Sequence, residues 1–370
     1  MKPAFGIFMI IHGLIHLMGF TKAFFSTKMS MQVLGISKPI GTLWLVTCAL
    51  FMVSATLFFN NKKWFYLVFV AVCISQILII LAWKEAKFGS IANVIILLVA
   101  ISHFADFRFN MMVQKESVSL FEKIVRSNED VVSEKDVLHL PEIVQKWMKN
   151  SGVIGRPKIN SVRLQQEGQL KNKPNGKWVQ FTAKQYFNTR EPSFVWSAKI
   201  QKNSLLYILG RDKLNEGNAE ILIKVWGIIS VVNEVDNFRI NSGSMQRFLG
   251  EMCWFPSAAI SDYISWEYIG ANSAKAIFIY KSQSVSGIFK FNAEGDIISF
   301  ETDRFYGGES DSKKEKWVIE VIDHKVFESY RIPYKCKVTW RLRESDFNWL
   351  SLEVVHIDYN ISEPYDKVMN

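Results

Sequence analysis

The first third of the chain and the remainder follow different patterns. Four stretches, at 4–25, 40–59, 64–83 and 88–107, are apolar almost throughout. Each is about 20 residues, the length at which a helix crosses a hydrocarbon core. The pattern therefore predicts four transmembrane helices. Trp44, Trp64 and Trp83 fall near segment ends, where interfacial aromatics gather. The first stretch has no small-residue cleavage site and is followed by three more, so it reads as a span and not as a signal peptide.

Beyond residue 112 the pattern changes. Ile143, Val144, Trp147 and Met148 share one face of a helix at 140–149 that Pro141 opens and the Gly152 and Gly155 cluster ends. After that the period becomes two. Tyr334, Cys336, Val338, Trp340 and Leu342 alternate with Lys335, Lys337, Thr339, Arg341 and Arg343, the pattern of a strand with one buried and one solvated face. Further strands are predicted at 160–170, 178–187, 194–201, 205–211, 221–232, 276–280, 284–292, 297–305, 317–323 and 349–359. Turn chemistry such as Lys173-Pro-Asn-Gly176 and Asn215-Glu-Gly217 separates them. A single helix at 244–251 interrupts the run. The expected architecture is an α-helical membrane bundle of four transmembrane helices (1–112), a helical linker (113–150), and a soluble antiparallel β-rich α+β domain, a curved sheet or half-barrel (151–370).

Charge changes the picture by where it sits. The formal charge is +9, but nine of the 44 basic residues and only two of the 35 acidic ones lie in 1–112. The soluble part keeps 35 basic against 33 acidic residues, too little excess for a nucleic-acid face. The basic residues of the apolar part suit the lipid bilayer as partner and the cell membrane as location. Four spans place both termini on one side. Five basic residues flank the spans on each side; adding Lys123 and Arg126 tips the count toward cytoplasmic termini and a cytoplasmic soluble domain.

Candidate chemistry is sparse. There is no GxSxG, no HExxH and no phosphate-binding glycine loop, so nothing points to an enzyme and no catalytic residue is assigned. Cys253 and Cys336 have no CxxC spacing; they either pair in an oxidising compartment or are buried thiols. His12 and His16 share a helix face, and His103, on an antiparallel span, could lie in the same half of the bilayer as His12. These three are candidate ligands for haem, a metal, a quinone or a proton, or else interhelical hydrogen-bonding groups. In the soluble part Trp178, Trp196, Trp226, Trp254, Trp266, Trp317 and Trp340 could line one face of a large sheet, either as a hydrophobic ligand cavity or as a packed core. Glu251, one turn before Trp254-Phe-Pro256, is the acid of interest; its plain role is a cap or a salt bridge.

Several stretches resemble an uncharacterised bacterial family. Ile11-His-Gly-Leu-Ile-His16 with Gly19-Phe-Thr-Lys22, and Ala86-Lys-Phe-Gly-Ser-Ile-Ala-Asn-Val-Ile-Ile96, look like its four-span membrane part. Trp178-x-x-Phe181-x-Ala183, Phe194-x-Trp196-x-Ala198, Gly210-x-Asp212, Arg247-x-x-x-Glu251-x-x-Trp254-x-Pro256 and Trp266-Glu267 look like its companion domain of unknown function. The soluble part also loosely resembles the half-barrel of periplasmic lipoprotein carriers, which implies a concave apolar face for acyl chains.

Three functions follow as expectations. The first is a membrane-anchored, non-catalytic module that binds a lipid or other hydrophobic ligand through Trp196, Trp254, Trp266 and Glu251; an interior packed solid with side chains would count against it. The second is an intramembrane haem, quinone or proton-handling protein. The third is an envelope protein that acts through protein partners.

Overall fold

The structure, a computed structural model, describes residues 2–25, 36–124, 130–201 and 206–365. The chain divides into two compact units, Met1–Arg108 and Phe109–Asn370.

The first unit is helical. Its elements are α1 (Lys2–Ile15), α2 (Leu17–Phe25), α3 (Lys38–Phe59), α4 (Phe65–Leu81), α5 (Trp83–Ala86) and the beginning of α6 (Gly89–Glu122). Three helical runs are long and apolar enough to cross a membrane: Lys2–Phe25, α3 and α6. The stretch expected at 64–83 is the 17-residue α4 followed by the short α5. The first run breaks at His16, whose N–H donates to the Gly13 carbonyl at 3.1 Å. Gly19 lets the Trp44 ring lie where a Cβ would otherwise stand, the close approach that small residues allow between apolar helices. Met9, Phe51, Ala55, Val68 and Ile96 form the centre of this unit. Lys28 lies outside the described residues.

The second unit begins with the remainder of α6, then α7 (Glu134–Val137) and α8 (Glu142–Asn150). The expected helix at 140–149 is α8, with Pro141 just ahead of it. Six strands follow: β1 (Ser161–Leu170), β2 (Val179–Asn188), β3 (Ser193–Gln201), β4 (Tyr207–Asn215), β5 (Asn218–Val225) and β6 (Ile229–Val235). Then come α9 (Phe238–Glu251), two 3-10 turns (Met252–Trp254 and Pro256–Ile260), and β7 (Ile264–Gly270). The last six strands are β8 (Ser273–Tyr280), β9 (Gln283–Phe291), β10 (Ile297–Phe305), β11 (Lys314–Phe327), β12 (Tyr330–Arg341) and β13 (Asp346–Tyr359).

Among the described residues the thirteen strands make one antiparallel sheet, in the order β6-β5-β4-β3-β2-β1-β13-β12-β11-β10-β9-β8-β7. The sheet is open, with β6 and β7 at its edges, and β1 and β13 meet in the middle. It is strongly curved. Helix α9 packs on β4 and β5 and also on β8, β9 and β10. In a flat sheet β5 and β9 would lie about 43 Å apart at the usual strand spacing, far more than the width of one helix. The sheet therefore wraps around α9 as a half-barrel. The continuous core runs from Val144, Trp147 and Met148 through Phe187, Phe248 and Phe255 to Phe289 and Ile357. On the other face the Phe109–Glu122 part of α6 lays Val113, Leu120 and Phe121 against Tyr186, Val195, Leu209 and Leu222. Arg126 of the expected linker lies outside the described residues.

Two expectations are corrected. The single strand expected at 221–232 is two strands, β5 and β6, joined by a turn at Trp226-Gly227 with φ of 54° and 68°. Apolar residues on both sides of that turn hide it, and tryptophan is not a turn former. The seven tryptophans do not line one face. Trp178 and Trp226 are exposed at strand ends, Trp254 sits in a 3-10 turn, and Trp317 and Trp340 are core. The strand expected from Leu205 is β4; Leu205 itself is outside the described residues.

Candidate functional site

Helix α9 starts at Asn237, whose side chain accepts from the N–H groups of Arg239 and Ile240 at 3.0 Å each, the usual N-cap arrangement. From Ile240 to Glu251 every residue but Arg247 is buried, polar Asn241, Ser242, Ser244 and Gln246 included. A Cβ on Gly250 would stand 2.8 Å from Phe300 Cδ1 and 2.9 Å from Ile319 Cδ1, so glycine lets the helix seat against β10 and β11. The concave face thus holds a helix, and its apolar interior is filled with side chains.

Beneath α9 lies an ionic cluster. Arg247 donates from Nη1 to Asp212 Oδ2 at 2.7 Å and from Nε to Glu251 Oε1 at 2.8 Å. Gln185 of β2 donates to the other Glu251 oxygen at 2.8 Å. The Arg247 guanidinium lies 4.9 Å from the Trp196 ring and 5.1 Å from the Phe194 ring, and Trp196 Nε1 donates to Gln166 Oε1 at 2.9 Å. Burial pushes the Glu251 carboxyl above its ordinary value against the pull of Arg247, and nearby Asp212 adds to the rise. The same carboxylates hold Arg247 charged although burial opposes it.

A second guanidinium is placed differently. Arg304 of β10 stacks 4.7 Å from the Trp317 ring and 5.9 Å from that of Trp340, and lies against Gly243 of α9. Among the described residues no carboxylate is in ion-pair contact with it. Burial, and then the charge of Arg247, push it down to about 10; Asp212 and Glu251 act on it only from a distance. Around this face Trp317 Nε1, Gln246 Oε1, Gln166 Nε2 and Gln185 Oε1 are buried without a hydrogen-bond partner among the described residues. Buried polar groups are normally paired, so this concentration of unpaired donors and acceptors marks the concave face as the candidate site.

Of the residues singled out from sequence, Trp196 and Glu251 meet here. Trp254 is buried, donates from Nε1 to Pro333 O at 2.8 Å, and accepts at its own carbonyl from Tyr359. Trp266 donates to Ala259 O at 3.0 Å and packs on Trp147 and Phe289, apart from the cluster. Asp212 and Arg247 were present in the motifs of the resemblance without a role. Arg304, an ordinary polar position in a strand, gave no sequence signal. Cys253 and Cys336 are both buried free thiols.

In the helical unit the histidines fall into two groups. His12 Nε2 meets Asn93 Oδ1 at 2.8 Å; His16 takes its own bonds to Ser75 Oγ and to the His12 carbonyl, each 2.9 Å long. Asn93 continues the network to Gln76, and Gln76 to Ser90. His103 is not part of it; its ring packs on Phe58 and Trp64. Both ring nitrogens of His16 are occupied, Nε2 by Ser75 of α4 and Nδ1 by the His12 carbonyl one turn back in its own helical run, an arrangement suited to packing. Among the described residues no three His, Cys, Asp or Glu side chains gather as a metal site needs.

The sequence profile of DUF6920, a family of unknown function, matches residues 138–359. No curated protein matches the chain. Similar solved structures include a LolA superfamily protein of Nitrosomonas europaea, at 10% identity, 58% of this chain, 92% of that one and a TM-score of 0.33. A DUF1329 family protein of Desulfovibrio piger is similar at 7% identity, 60% of this chain, 91% of that one and a TM-score of 0.32.

Proposed function

The chain belongs to the DUF6920 family, and on that premise we propose a membrane-anchored, non-catalytic binding module whose half-barrel holds a lipid or other hydrophobic ligand. In this reading four helices anchor it, α4 as the shortest, and the flanking charge leans toward a cytoplasmic β-domain. The observation that carries the reading is Arg304: a half-buried guanidinium with aromatic rings at its face, no contacting carboxylate among the described residues, and unpaired Trp317 and Gln246 atoms on the same concave face. A cation so placed suits the anionic head of an amphiphile; the interior is filled with side chains, so its tail is accommodated only where α9 gives way. Helix α9 then occupies the ligand's place. Arg247, Asp212 and Glu251 hold it there through charge, which a competing ligand head can replace.

The test uses the full-length protein and a photoactivatable fatty acid, with adducts mapped by peptide mass spectrometry. Adducts on peptides covering 238–251 and 297–305, reduced several-fold by Arg304→Gln, are the expected result. Adducts confined to 2–108 would overturn the reading.

A further inference from the structure

We propose that the rim of the half-barrel at the Trp226 turn rests on an anionic bilayer surface. Strand β6 is a sheet edge, yet Trp226, Ile228, Ile229 and Val231 are exposed by 39%, 45%, 53% and 55%. An exposed apolar edge is a liability in water and an asset at a lipid interface, where tryptophan is enriched. The registers Phe181↔Ile200, Ile200↔Ile208 and Ile208↔Val225 put this turn at the same end of the sheet as the β1–β2 turn.

That end is basic. The β1–β2 turn carries Lys171, Lys173 and Lys177, and Lys224 precedes Trp226. No Asp or Glu occurs within 168–190 or 221–233, the two hairpins that carry these lysines, while the neighbouring β12–β13 turn adds Arg343 and Glu344. Lys171 already lies 4.6 Å from the Trp178 ring. Cations interleaved with aromatics complement lipid phosphates more than an apolar protein partner.

An independent observation gives the direction. Glu116 of α6 pairs with Arg211 and Lys213, and Lys123 pairs with Glu216. Helix α6 therefore runs beside β4 from the Tyr207 end toward Asn215, and it enters this unit at Phe109 at the Trp226 end. The residues before Phe109 are the apolar ones of a candidate span. Phe109, the first residue of this unit, thus lies at the end that carries the Trp226 turn.

The inference rests on the membrane anchoring proposed above, and the experiment separates the two. Full-length Cys73→Ser protein, whose other three cysteines are buried, is labelled with an environment-sensitive fluorophore at Ile229→Cys or, at the far end of β5, at Glu216→Cys. It is reconstituted in phosphatidylcholine vesicles with or without phosphatidylglycerol and a spin-labelled lipid quencher. With phosphatidylglycerol, quenching at 229 is expected to exceed that at 216 several-fold. Lys171→Glu with Lys173→Glu and Lys177→Glu is expected to reduce it at least by half. Equal quenching at both positions, or none at 229 in protein that floats with the vesicles, overturns the inference. A label at 229 shielded from aqueous iodide but unquenched by lipid overturns it in favour of a protein partner. Protein that does not float overturns the anchoring itself.

Discussion

Arg247 of α9 and Asp212 of β4 meet at 2.7 Å, Nη1 to Oδ2, while the same guanidinium serves Glu251 four residues along its own helix. One cation thus fixes a helix to a strand and stiffens the last turn of that helix. Buried pairs add little net stability, but a partner left behind is expensive. The pair acts mainly to define where α9 sits.

Arg247→Met leaves two poorly solvated carboxylates facing each other. A loss of about 3–5 kcal/mol is expected, measured by urea unfolding of the detergent-solubilised chain. An unchanged midpoint with unchanged cooperativity would show that the cluster carries no positional weight.

Glu251 makes stability depend on pH. Its folded value lies above the ordinary one, chiefly through burial, so its favourable contribution is complete below about pH 4.5 and is lost as pH rises through the folded value. Glu251→Gln resembles the protonated form. The variant is therefore expected to gain stability relative to the native chain on going from pH 4 to pH 8. A difference constant over that range would refute the assignment.

Asp296 has the opposite sign. Burial raises its carboxyl, but bonds from Arg331 at 2.8 and 3.0 Å, with the nearby charges, outweigh burial and hold it below the ordinary range. Its contribution is present above pH 4 and disappears as pH falls through the folded value. Asp296→Asn should flatten the acid limb of the unfolding curve, read by circular dichroism; a limb as steep as the native one would place the acid sensitivity elsewhere.

Gly250→Ala tests how tightly α9 is seated. Phe300 is almost fully buried and has nowhere to retreat, so overpacking of about 1–3 kcal/mol is expected. Thermal unfolding reports it; a neutral substitution would mean that α9 can lift without resistance.

Much of the fold was legible because burial imposes a period. Tyr334 to Leu342 alternates since one side faces the core and the other water, and β12 follows it. The helix with Ile143, Val144, Trp147 and Met148 on one face is α8. What stayed hidden lacked a contrast to read. Val225-Trp-Gly-Ile228 is apolar before, within and after its turn, so nothing announced two strands. The first six residues of α9, Phe238–Gly243, went unread because Asn241-Ser-Gly243 looks like a loop; the segment is capped by Asn237 and enclosed by the sheet. For the site, Glu251 was marked by an apolar neighbourhood and Trp196 by its motif, whereas Arg304 acquires meaning only when curvature brings β10 and α9 together.

The meeting of β1 and β13 at the middle of the sheet sets the order in which this domain can be made. Asn160 and Asn360 bond across 200 positions of sequence, while β2 to β6 and β7 to β12 pair with immediate neighbours. During synthesis both wings can zip by local hairpins, but β1 has no partner on its inner side until the ribosome has delivered β13. Until then the edge of β1 that β13 will cover stands open. A stop codon before Asp346 leaves two finished half-sheets without the central ladder that joins them.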